Sequence, residues 1–165
     1  MDEEAIARLH AKAQADDRRV RQSFVFAIQE RDPRRQLADA IELKVKWRLE
    51  DLGYLVVAQT HKERFDLLVQ GVRVEVKAAT WDGEQYQANL HGNQADVLVF
   101  ACIDGAAHYF VIPFGEVSSL RMLKISSHDP RDYIGKWMRY YAAWELIDEL
   151  VAAGCNAWQP ALMEI

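Results

Sequence analysis

Residues 64–77 read R-F-D-L-L-V-Q-G-V-R-V-E-V-K, two short runs of alternating character joined at Gln70-Gly71. Side chains on a strand alternate between faces with period two. Phe65, Leu67 and Val69 therefore share one face of the first run, and Val72, Val74 and Val76 share one face of the second. Asp66 and Leu68 lie on the opposite face of the first run, as do Arg73, Glu75 and Lys77 on the second. With Gln70 and Gly71 as the central residues of a tight hairpin turn, Val69 pairs with Val72. Counting back from that pair sets Leu68 against Arg73 and Asp66 against Glu75. Directly opposed residues have Cβ atoms about 4.5–5.5 Å apart. The turn thus predicts two carboxylates held close on one face, with Lys77 two residues further along the same strand.

Such a pairing is not chosen for stability. Like charges directly opposite on a sheet are destabilising, and one of the pair is expected to take up a proton. A divalent cation removes the conflict, because Mg²⁺ is bound through one or two carboxylates together with waters and substrate phosphate. A lysine beside it can hold an attacking water or offset negative charge developing on a phosphate. The plain alternative is a surface hairpin whose Arg73, Glu75 and Lys77 face solvent. Asp66, standing in the register that the turn itself dictates, is what separates the two readings.

Composition sets the frame. The chain has 165 residues, 50% of them hydrophobic, and a net charge of −5. That is ordinary for one globular domain able to bury a core without staples. No apolar run approaches the ~18 residues of a membrane span, and M-D-E-E-A-I-A-R lacks the basic-then-apolar layout of a secretory signal. Cys102 and Cys155 are far apart; Cys102 lies in an apolar run and reads as a small core residue, so neither a disulfide nor a zinc site is expected. These features point to the cytoplasm and to no membrane partner. The acidic balance is unusual for a nucleic-acid binder, although local patches matter more than totals and a metal supplies positive charge at one point.

Outward from the hairpin, the chain reads as a single domain: an N-terminal helical extension over 1–32, a core over 33–113 and a helical segment over 114–165. The spacing of Ile6, Leu9, Val20, Phe24 and Ile28 predicts a helix over 2–31. Asp32-Pro33 is a cap and first helical position, opening a helix that ends before Gly53. Its buried stripe would be Leu37, Ala38, Ile41, Val45, Leu49 and Leu52, with Glu42 at the edge. Residues 54–59 form a strand. Within 78–93, W-D-G at 81–83 is a turn signal, and E-Q-Y-Q-A-N-L-H-G-N over 84–93 reads as irregular or as one helical turn. D-V-L-V-F-A-C-I over 96–103 is the continuous apolar run of a strand covered on both faces. Asp104-Gly105 turns it into a return strand over 108–112. A helical turn and a short strand over 121–125 follow. Asp129-Pro130 opens a closing helix, with Trp137, Tyr140, Tyr141, Trp144, Ile147 and Val151 at helical spacing from Tyr133 to a stop at Gly154. The sum is an α/β (mixed α+β) fold: a central mixed sheet of about five strands flanked by helices.

A helix carrying glutamate, then a strand, a strand with Asp, a turn, and a strand with E-x-K resembles the PD-(D/E)XK nuclease superfamily. Glu42, Asp66, Glu75 and Lys77 carry the resemblance, which spans residues 35–113. It is most similar to compact nucleases of phage, intron-homing or junction-resolving type. It implies a restriction-endonuclease-like core and a metal-dependent deoxyribonuclease. Asp66 and Glu75 would bind Mg²⁺ (Mn²⁺ substituting) with the Val76 carbonyl, Lys77 would position the attacking water, and Glu42 would support the metal. Residue 65 is Phe where the motif's name has Pro. Some members place a Gln or Tyr after the E-x-K strand to hold the DNA backbone, which makes Tyr86 and Gln87 candidates, with His91 the one histidine near the site. The partner implied is DNA, duplex or branched, and cutting both strands suggests a homodimer. A non-catalytic binding module on the same fold is the alternative.

Overall fold

The computed structural model describes residues 33–59, 64–90, 92 and 94–162, with residues 155–162 by backbone alone. The chain divides after Ala40 into two units, Met1–Ala40 and Ile41–Ile165, and the sheet and site below belong to the second. The helix expected over 2–31 lies outside the described residues, as do His10, His61 and His91.

Helix α1 (Pro33–Asp51) starts at the expected proline and stops ahead of Gly53, whose φ of +99° lets the chain reverse. Ile41, Val45 and Leu49, four residues apart, are its buried stripe. The stripe is narrower than expected: Leu37 is only half-buried, and Ala38 and Leu52 are exposed. Leu52 already belongs to the turn, which swings it off the helix face.

Five strands form the main sheet: β1 (Val56–Ala58), β2 (Leu67–Val69), β3 (Val72–Thr80), β5 (Val97–Ile103) and β6 (Ala107–Pro113), in the order β1-β2-β3-β5-β6. All neighbours are antiparallel except β3 and β5. Strands β4 (Tyr86–Asn89) and β7 (Met122–Ile125) make a separate two-stranded ribbon. Helix α2 (Phe114–Val117) is one turn, and α3 (Glu145–Leu162) closes the chain. This is a mixed α/β fold with a five-stranded central sheet and three α-helices among the described residues.

Register assigns the two faces. Glu75 stands beside Leu98, and Lys77 beside Phe100; Ile112 and Phe110 continue those rows on β6. Leu98, Phe100, Phe110 and Ile112 form one core with Tyr86 and Ala88 of β4, Leu123 and Ile125 of β7, and Trp137. The ribbon therefore covers the same sheet face that carries Glu75 and Lys77. Phe114 and Val117 of α2 join that same core; the other face, with Val74, Val97, Val99 and Val111, carries α1 and α3. There Tyr109 packs edge-on against Trp144 at 5.3 Å, and Arg48 of α1 stacks over the same indole at 4.8 Å.

Two stretches depart from expectation. Within residues 78–93, two stretches are strand: residues 78–80 and Tyr86–Asn89. β3 runs on to Thr80 because β5, a parallel neighbour remote in sequence, supplies its pairing at Ala101, Cys102 and Ile103, and β4 finds its partner in β7. The continuous helix expected from Tyr133 is also absent. Asp129 does cap with Pro130 at the first position, but the product is a 3₁₀ turn, Pro130–Asp132, followed by a second, Lys136–Tyr140. The chain then lies along the open edge of β6: Tyr141 bridges Phe110, and the Ala142 amide donates to the Tyr109 carbonyl at 2.7 Å. Satisfying that edge outweighs continuing a helix. Gly135 permits the bend, since a Cβ there would overlap the Tyr133 ring. α3 begins only at Glu145 and passes through Gly154, which is not its stop.

The central hairpin is as read. Val69 pairs with Val72, Leu68 with Arg73 and Leu67 with Val74. Gln70 (φ 47°) and Gly71 (φ 90°) both have positive φ, as in a type I′ turn. The Gln70 side chain also accepts the Leu55 amide at 3.1 Å, tying the turn to the entry of β1. A Cβ at Gly71 would touch nothing within 4 Å, so Gly71→Ala carries a purely conformational cost. We expect a loss of about 1 kcal/mol, read as a melting temperature lower by about 2–4 °C; no shift would mean that the turn is not αL at that residue.

Candidate functional site

The site is built where β2 leaves β3. The ladder ends at Leu67–Val74, yet the Asp66 amide still donates to the Val74 carbonyl at 3.0 Å. The Asp66 carbonyl accepts the Gln59 amide at 2.8 Å, so its backbone is fixed from both sides. Its Oδ2 accepts the Val76 amide at 2.8 Å. That bond turns the carboxyl inward over β3, where it is hydrogen-bonded to the Glu75 carboxyl. The two acids therefore meet, although not by the expected pairing: the ladder stops at Leu67–Val74, and the Asp66 amide bonds the Val74 carbonyl, so Asp66 does not stand in register opposite Glu75. Because amides and carbonyls of alternate strand residues point the same way, the Val76 carbonyl projects toward Asp66 past the end of the ladder.

Glu75 is 3% exposed, the one charged side chain in the buried set among the described residues. Burial, and then the neighbouring Asp66 carboxylate, push its carboxyl up to about 7, against a smaller opposing pull from Lys77. Lys77 Nζ lies 3.0 Å from Glu75 Oε1 and is partly open to solvent. Arg73, on the same face, is drawn off: its guanidinium and amide bind the Asp96 carboxylate at 2.8–3.1 Å. Asp96 also donates its amide to the Arg73 carbonyl and accepts the Phe114 amide on its own carbonyl. This clip joins β3 to the head of β5, and its two members carry no signal in the sequence that they belong together.

A cation would fit this donor set. Two carboxylates and a backbone carbonyl are hard oxygen donors of the kind Mg²⁺ takes alongside waters. The elevated Glu75 carboxyl shows the unfavourable charge that a cation would relieve. Among the described residues no group of three or more His, Cys, Asp or Glu is gathered as a metal set. The pair Asp66–Glu75 is what the sheet brings together. Glu42 lies half-buried on α1 beside Ile41.

The other candidates separate. Tyr86 is fully buried in the ribbon core, and its hydroxyl donates to the His128 carbonyl at 2.7 Å. It is a packing residue, not a contact for DNA, because its strand turns it toward the sheet. Gln87, one residue on, faces solvent and accepts from the Gln85 amide group at 3.2 Å. His108 is held between Tyr141 and Asp104 at 3.0 and 3.3 Å, a structural role. Cys102 is a buried free thiol pushed up to about 12 by that burial.

A mixed five-stranded sheet with a carboxylate pair and a lysine at its central hairpin defines the class: an α/β fold with a charged site at the end of one strand ladder. Its fold is similar to that of a solved bacterial homing endonuclease, I-Ssp6803I, with a TM-score of 0.62 over 73% of this chain and 96% of that one. Sequence identity is 22%, and the likeness is one of fold. No protein-family model and no curated protein matches the chain. No helix among the described residues is long and apolar enough to cross a membrane.

Proposed function

We propose that this protein is a DNA endonuclease of the PD-(D/E)XK type that hydrolyses phosphodiester bonds with Mg²⁺. The observation that carries the reading is the Asp66–Glu75 carboxyl pair, buried at Glu75 and half-buried at Asp66, with Lys77 3.0 Å from Glu75. A fold similar to a homing endonuclease supports it. When bound, a divalent cation supplies positive charge against the phosphate as negative charge builds there. Asp66, anchored by the Val76 amide, and Glu75 would hold that cation together with the Val76 carbonyl, with Glu75 in its carboxylate form. Lys77, with its ammonium beside Glu75 and open to solvent, orients the attacking water and shares in stabilising the charge. Glu42 is assigned a supporting role toward the same centre. Two copies related by a two-fold axis would cut both strands.

The test is supercoiled-plasmid nicking with Mg²⁺ or Mn²⁺ by the full chain and by Asp66→Ala and Lys77→Ala. Each variant is expected to lose about 10³-fold in rate, with folding checked by circular dichroism. A linear product reports paired cuts, and a four-way junction assayed beside a linear duplex tells branched from duplex preference. Equal cleavage by both variants and the parent protein would sink the reading. A module that binds DNA without cutting it would leave the plasmid intact in every case.

A further inference from the structure

The ribbon outside the main sheet has two unlike faces. Tyr86 and Ala88 on β4, and Leu123 and Ile125 on β7, point into the core. Gln87 and Asn89, with Met122 and Lys124, point outward and are exposed. Register sets Gln87 beside Lys124 and Asn89 beside Met122. The outward row is thus two carboxamides, an ammonium and a thioether, followed by exposed Arg121, whose carbonyl accepts the Leu90 amide at 2.9 Å. No acid stands in that row. Asp82 and Glu84 lie toward the other end, in the turn before β4, where Asp82 accepts the Glu84 and Gln85 amides at 2.9 Å and feels the charge of Lys124.

One end of the row is tied through the backbone to the chain beside the candidate site. The ribbon packs on the sheet face that bears Glu75 and Lys77. Beyond Asn89 the chain returns to β5 through Gln94, whose amide donates to the Arg64 carbonyl at 3.1 Å, two residues before Asp66. The Arg121 end of the ribbon therefore leads into the segment adjoining the carboxylate pair.

We infer that the β4–β7 ribbon enters the major groove of duplex DNA and reads base sequence next to the site, with Gln87 and Asn89 contacting base edges and Lys124 and Arg121 contacting phosphate or guanine. Paired strands about 4.8 Å apart fit a groove about 12 Å wide, which admits a two-stranded ribbon. Gln and Asn present a donor and an acceptor side by side, matching adenine N6 and N7, and an apolar tip such as Met122 suits the thymine methyl. Lysine and arginine supply the sequence-independent attraction. The inference takes duplex DNA as substrate from the proposed function and adds the element that selects sequence.

The test uses the full chain and a pool of randomised linear duplexes, with bound molecules separated by gel shift in chelator and sequenced; plasmid nicking in Mg²⁺ runs alongside. The parent protein is expected to enrich a preferred motif, and Gln87→Ala/Asn89→Ala to flatten the preference at adjacent base pairs by about 10-fold or more. Lys124→Ala is expected to weaken binding evenly across sequences and to lower its salt dependence. All the substituted side chains are exposed, so melting temperatures should stay put. An unchanged bound-pool profile in the double variant overturns the inference, as does parent protein that retains no duplex or retains all sequences alike. Selective binding that the double variant loses, with no cleavage in Mg²⁺, upholds the ribbon as reader and removes the nuclease reading instead.

Discussion

Glu75→Gln is expected to abolish Mg²⁺-dependent cleavage and, in metal-free protein, to raise stability above neutral pH. The carboxyl is held at about 7 by burial and by Asp66, against an ordinary value near 4.3 for glutamate in an unfolded chain. The folded protein therefore binds an extra proton between those values. Where the folded state binds more protons, stability falls as pH rises. Wild-type protein in chelator should thus be most stable below about pH 4.5 as far as this group is concerned. It should lose stability up to about pH 7 and carry the whole cost above it. The cost has an upper limit of about 4 kcal/mol, and the gain in the variant is smaller because Lys77 loses its charged partner.

Glutamine keeps the shape and does not titrate. Melting curves should therefore coincide near pH 4 and separate by several degrees at pH 8, with the variant higher. Adding Mg²⁺ should stabilise wild type and leave the variant unmoved, since only the ionised carboxylate can bind the metal. A variant less stable than wild type by the same amount at every pH would show that Glu75 is an ordinary structural partner of Lys77.

The largest loss of stability is expected from Phe110→Ala. Phe110 is fully buried at the centre of β6, beside Phe100 in register. It meets Tyr133 and Tyr141 edge-on at 6.1 and 5.5 Å. Truncation leaves a cavity and removes both aromatic contacts, costing about 3–5 kcal/mol. For a chain of this size the midpoint of thermal unfolding should fall by about 10 °C or more. Phe110→Leu should recover most of it. Denaturant titration gives the free energy directly; a cost below about 1 kcal/mol would mean that the segment bridging at Tyr141 closes the gap.

How much was legible differs from element to element. The hairpin could be read because both of its strands and its turn lie within fourteen residues of sequence. Alternation assigns faces, and a two-residue turn leaves one register. Leu67 opposite Val74 follows with no further information; Asp66 lies past the end of that ladder, and its meeting with Glu75 depends on the bond from the Val76 amide. The apolar run before Asp104 and its return strand were legible for the same reason, as was α1 between its proline and its glycine. Residues 78–93 were not, because β4 has no partner nearby; Y-Q-A-N is a strand only once M-L-K-I is laid against it. The aromatic stretch from Tyr133 misled because helical spacing says nothing of an open sheet edge waiting for Tyr141 and Ala142.

From the order of residues alone came the Gln70-Gly71 turn and the pairing from Val69–Val72 to Leu67–Val74, which puts Glu75 and Lys77 on one face, since alternation and a two-residue turn leave one register. Tertiary structure decided that the face is buried at Glu75 and open at Lys77, that Asp96 takes Arg73 away from the pair, and that a distant ribbon roofs the same face and turns Tyr86 inward while leaving Gln87 outside. Burial and partnership depend on strands brought together across long stretches of chain, and that meeting, not the residues' own order, raises a plain glutamate to about 7.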